Sequence, residues 1–143
     1  MDVRTKFSDL IHAMARRDWG TVDRLLDDLE TTGWHGGLQV IAAAFAIALN
    51  ERFAAGHSRT DVARFVAETR SRFPAAQSLP IREMEALVQA ALGKVDLIDN
   101  LSPETALQMQ IVFLGTLLQD GHHTEPELEA FLADAESIAA DYL

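Results

Sequence analysis

The chain has 143 residues, 48% of them hydrophobic, no cysteine, and a formal net charge of −10. That length can bury a core without covalent staples, and the lack of cysteine excludes disulfides and thiolate metal sites. From Met1 to Phe73 ten basic residues balance ten acidic ones, whereas from Pro74 to Leu143 only Arg82 and Lys94 oppose 12 acids; phosphate recognition needs clustered cations, so no nucleic-acid partner is expected.

The first helix is expected over Val3 to Arg17, where Val3, Phe7, Leu10, Ile11 and Met14 form one apolar stripe. Asp18 is a good N-cap for a second helix with the stripe Trp19, Val22, Leu25, Leu26 and Leu29, ending at Thr31-Thr32-Gly33. Residues 36–50 follow, a stretch with no charged residue and no polar face from Val40 to Leu49. A helix apolar on every side must be buried on every side. It is expected to continue through Glu51, Arg52 and Phe53 to a stop near Gly56.

Ser58 caps a fourth helix with Asp61 in its first turn and the stripe Val62, Phe65, Val66 and Phe73, closed by Pro74. Ala75 to Leu79 is the one candidate hinge, too short for a linker. Pro80 suits the first position of a fifth helix, lined by Ile81, Met84, Leu87, Val88, Ala91, Leu92 and Val95. Inside it Gly93 costs about 1 kcal/mol relative to alanine, which predicts a kink or a close helix contact. Ser102-Pro103-Glu104 opens the sixth helix, charge-free over residues 105–119. Thr124-Glu125-Pro126-Glu127 reads as a capping box for the last helix, with Leu128, Phe131, Leu132, Ala135 and Ile138 inward. No run alternates with period two.

The expected fold is therefore all-α: a single domain over residues 1–143, a bundle or short helical array of about seven helices around the charge-free helices 36–50 and 105–119. Within those two helices Leu38-Gln39 to Leu49 and Leu107-Gln108 to Leu118 share a length, the opening pair and the closing Leu, and the residues after each also correspond. The likeness reads either as an internal repeat with halves 18–73 and 80–143, or as two similar amphipathic pairs. The opening Met1 to Lys6 has no apolar run, so no secretory leader is expected. The charge-free stretches fall short of the roughly 20 apolar residues of a membrane span, so the expectation is a cytoplasmic protein with no membrane contact. Ten arginines against two lysines, with abundant alanine, suggest a GC-rich bacterial genome.

Chemistry-bearing patterns are sparse. Trp34-His35-Gly36 between two helices resembles the W-x-G turn of small secreted helical-hairpin proteins, whose tail signal is absent after Tyr142. His122-His123 with Glu125 and Glu127 gathers imidazole and carboxylate groups that zinc or nickel accepts, but without a helical histidine pair. Asp23, Asp27 and Glu30 share one helical face, and Asp96 with Asp99 another; both read as solvated faces, so no metal and no cofactor is expected. There is no phosphate-binding loop, dinucleotide fingerprint, zinc-protease helix or nucleophile elbow.

Arg52-Phe53-Ala54-Ala55-Gly56-His57 resembles the R-x4-6-H motif of the HEPN family, small helical proteins that include ribonucleases. The resemblance implies that Arg52 and His57 would handle a scissile phosphate; a polar residue usually follows that arginine, and Phe53 stands there here. The leading reading is instead a non-enzymatic interaction module, in the class of adaptors, immunity proteins or antitoxins. Seven acids and no base lie between Asp120 and Asp141, and such a face steers a basic protein partner. Glu125, Glu127, Glu129, Asp134 and Glu136 are the contact candidates. Homo-oligomerisation through a second helical stripe is a further expectation.

Overall fold

The computed structural model describes residues 3–32, 37–56, 58–93, 103–121 and 124–141. Among them are seven α-helices and no strand: α1 (Val3–Ala15), α2 (Trp19–Thr32), α3 (Gly37–Arg52), α4 (Arg59–Arg72), α5 (Ile81–Ala91), α6 (Pro103–Gly121) and α7 (Glu125–Asp141), with a 3₁₀ helix at Pro74–Ser78. The all-α expectation holds. No described helix is long and apolar enough to cross a membrane. The chain divides into two compact units, one of Met1–Ala44 with Leu118–Leu143 and one of Phe45–Leu117.

In the first unit, α1 packs on α2 and on α7. Its apolar stripe is closed to water at Phe7, Leu10, Ile11 and Met14, as are Val22, Leu25 and Leu29 of α2. The turn between the two helices is sharper than the sequence suggests. α1 stops at Ala15 instead of Arg17 because Arg17 adopts a left-handed backbone, φ 61°. The amide of Asp18 then donates to the Ala13 carbonyl at 2.9 Å and that of Arg17 to the Met14 carbonyl at 3.2 Å, the paired closure that satisfies the last carbonyls of a helix. Asp18 goes on to cap α2, accepting from the Thr21 amide at 3.4 Å and its hydroxyl at 2.7 Å. In α7 the buried residues are Leu128, Phe131, Leu132, Ala135 and Ala139. Ile138, expected inward, is 39% exposed: the final inward step is four residues instead of three, and the small Ala139 takes it.

In the second unit α4 packs on α5 and on the 3₁₀ helix. The α4 start is as expected: Ser58 and Asp61 form a reciprocal capping box. The Ala75–Leu79 stretch is helical rather than an open hinge over most of its length. Pro80 caps α5 with an extended backbone and does not enter the helix as its first residue, and Ile81, expected in the apolar stripe, is 47% exposed. α5 ends at Ala91, short of Val95, because Gly93 has φ +122°. A Cβ there would meet nothing within 4 Å, so the glycine supplies a backbone conformation, not a close helix contact.

Between Val40 and Leu49 every residue of α3 is buried or half-buried, as a helix without a polar face requires. From α6, Met109, Phe113, Leu114, Leu117 and Leu118 are buried. Within the second unit the rings of Phe45 and Phe113 lie near-parallel at 5.8 Å, Phe113 and Phe65 at 5.2 Å, and Phe53 meets Phe65 edge-on at 5.8 Å. Beside this ladder the fully buried hydroxyl of Thr69 donates to that of Thr116 at 3.1 Å. Thr116 passes its own proton to the Val112 carbonyl at 3.2 Å.

Candidate functional site

The densest meeting of ionisable groups among the described residues lies in the first unit, where α7 crosses α1. Thr124 and Glu127 start α7 with the expected capping box: the Thr124 amide donates to the Glu127 carboxylate at 2.9 Å, and the Glu127 amide to the Thr124 hydroxyl at 3.4 Å. Glu127 is thereby occupied with its own helix. Glu125 and Glu129, one turn apart, project from a common face of α7, and burial of Leu128, Phe131 and Leu132 holds that helix down.

His12 and Arg16 stand one turn apart on α1 and meet them. The His12 ring presents Nδ1 to the Ser8 carbonyl at 2.7 Å. A carbonyl only accepts, so Nδ1 carries the hydrogen and the other nitrogen, Nε2, is turned to α7. Nε2 lies 3.1 Å from a Glu125 oxygen, Oε2, and 3.3 Å from a Glu129 oxygen, Oε1. Arg16 pairs with the remaining Glu125 oxygen, Oε1. The imidazole is nearly closed off, at 12% side-chain exposure, while the two carboxylates stay 56% and 66% open. The hydrogen bond from Arg16 holds the Glu125 carboxyl below the usual carboxylate range; partial burial works against it, and the charges of Arg16 and His12 add to the lowering. A depression of about 590 Å³ opens beside the group, lined also by Ser8, Asp9, Arg24 and Asp28.

Of the five acids expected to meet a partner, Glu125 and Glu129 thus face α1, Glu127 caps α7, Asp134 is exposed and Glu136 half-buried. Arg52 of the HEPN-like motif is held in the second unit, with its guanidinium 5.6 Å over the Phe65 ring and 3.4 Å from the Glu68 carboxylate. His57 lies outside the described residues, as do Trp34 to Gly36, Asp96, Asp99, His122 and His123. Asp23 and Asp27 are exposed on α2, in keeping with a solvated face.

Sequence reasoning missed His12 and Arg16. The signal was faint but present: a basic pair at i, i+4 on α1 has the same spacing as the acidic pair at i, i+4 on α7. Comparison with family models, curated proteins and solved structures finds no match.

Proposed function

We propose that this protein is a non-enzymatic helical interaction module that docks a basic protein partner through the acidic surface of α7. The observation that carries the reading is the charge: seven acids and no base between Asp120 and Asp141, six of them on α7, a helix whose apolar side is already consumed by the core. Glu125 and Glu129 spend part of their charge on Arg16 and His12, and Glu136 shares their side of the helix and is half-buried, so the exposed Glu127 and Asp134, seven residues apart, make up the outward part of the face. Exposed carboxylates act mainly by steering, which speeds association and is screened beyond about 10 Å at 0.1 M salt. The engagement of Arg52 by Glu68 and Phe65 weighs against the phosphate-handling alternative with Arg52 and His57, because that arginine already has a structural occupation.

The test is capture of partners at low salt, followed by affinity measurement of the recovered protein across a salt series and against a double charge reversal, Glu127→Lys with Asp134→Lys. The expected result is a basic partner whose affinity falls steeply with salt and falls at least tenfold on reversal. Recovery of neutral or acidic partners only, or an affinity indifferent to salt and to the reversal, overturns the proposal.

A further inference from the structure

His12, Glu125 and Glu129 bring three ligand atoms from two helices to one point, and all three lie within 4.8 Å of one another. The arrangement differs from a run of surface acids in two respects. One member is an imidazole from a different helix, nearly buried, with its orientation fixed by the Ser8 carbonyl. In addition, with Nδ1 turned to that carbonyl, the second ring nitrogen, Nε2, is the one that faces both carboxylates. Two carboxylate oxygens at 3.1 and 3.3 Å from Nε2 are held there by a positive species, which is either a proton on that nitrogen or a bound cation. Arg16 answers only the far oxygen of Glu125.

We propose that these three side chains form a binding site for a divalent first-row metal ion, of the zinc class, that clasps α7 to α1. The ligand chemistry fits: imidazole nitrogen with carboxylate oxygens suits zinc and its neighbours better than magnesium or calcium, which favour all-oxygen shells. The spacing fits as well. Metal bonds of about 2.0–2.1 Å in a tetrahedron place neighbouring ligand atoms about 3.3–3.4 Å apart, next to the 3.1 and 3.3 Å separations from Nε2, and the two carboxylate oxygens, within 4.8 Å of each other, reach that spacing by a small rotation of their exposed side chains. The hydrogen bond from Nδ1 to a backbone carbonyl is the outer support that metal-bound histidines commonly use to fix tautomer and orientation. Three protein ligands leave a fourth position, and the open carboxylates and the adjoining depression give water access to it. Arg16 competes with the metal for Glu125. The site therefore makes a prediction opposite in sign to that of an ordinary ion-pair network, in which every cation helps.

The test is calorimetric titration of the full chain with zinc ion at neutral pH. The expected result is one site per chain, at least tenfold weakening in His12→Gln and in Glu129→Gln, and tighter binding in Arg16→Gln. Glu129 is mostly exposed, so its variant keeps the test valid if His12→Gln disturbs the fold, which circular dichroism reports. His122→Gln with His123→Gln controls for the other histidines. Three results overturn the proposal: no binding up to millimolar zinc, binding lost in the His122/His123 variant but retained in His12→Gln, or weaker binding in Arg16→Gln. The first of these leaves the His12 cluster as a proton-bearing ion pair.

Discussion

The two units meet the problem of charge beside a core in different ways. In the Phe45–Leu117 unit the polar groups beside the ring ladder are matched: Arg52 has Glu68 on one side and the face of Phe65 on the other, and the buried Thr69 hydroxyl donates to that of Thr116, which donates to the Val112 carbonyl. In the other unit two carboxylates converge on one imidazole, and a lone guanidinium takes up only part of the charge. Balanced groups need nothing further and read as architecture. The second set is balanced only when a proton or another cation sits at His12 Nε2, and that separates a candidate site from a structural contact made of the same residue types.

The contrast predicts large losses when the ring ladder or the hydroxyl pair of the second unit is broken, and smaller ones at the polar groups of the first. Phe113 lies between two other rings and is fully buried. Phe113→Ala is expected to cost about 3–5 kcal/mol, read by chemical denaturation; a loss below about 1 kcal/mol would mean that the ladder is not the centre of that unit. Thr116→Val should cost about 1–3 kcal/mol, because it strands the Thr69 hydroxyl in the interior. Thr69→Val should cost less, since Thr116 keeps its bond to Val112. The double variant should recover part of the Thr116→Val loss, and additive losses would show that the hydroxyls do not act as a pair.

Smaller effects probe the first unit. Replacing Arg17 by glycine removes the left-handed strain of a side-chain-bearing residue and should stabilise by about 1 kcal/mol, seen as a higher Tm. Glu125 gives the pH dependence. Its carboxyl is held below the ordinary value of 4.5 in the folded chain, so its contribution to stability is present above that pH and is lost as pH falls through the lower folded value. Melting between pH 6 and pH 3 should show a small acid-side loss in the wild type that Glu125→Gln lacks; parallel curves for the two would remove the Arg16–Glu125 contact from the account.

Much of the fold was legible because its signals are local. Ser58 with Asp61, Thr124 with Glu127, and Asp18 announce helix starts through side-chain bonds spanning three residues. The polar-free run from Val40 to Leu49 could only be buried. Where two readings fit one period, the sequence was silent: positions 138 and 139 both continue the α7 stripe, and packing chose the smaller side chain. Arg17 was unreadable because an arginine carries no sign of a left-handed backbone, whereas Gly56 and Gly93 do. The site was the least legible part. His12 and Glu125 are 113 positions apart in the chain, and periodicity cannot say which faces of two distant helices meet.

The most direct measurement of the central contrast is the ¹⁵N spectrum of the His12 imidazole during zinc addition. The account predicts that Nδ1 stays protonated on the Ser8 carbonyl while the Nε2 resonance moves to a metal-bound position, with the other four histidines unchanged at the first equivalent. A shift confined to another histidine, or a His12 ring indifferent to zinc, would contradict it.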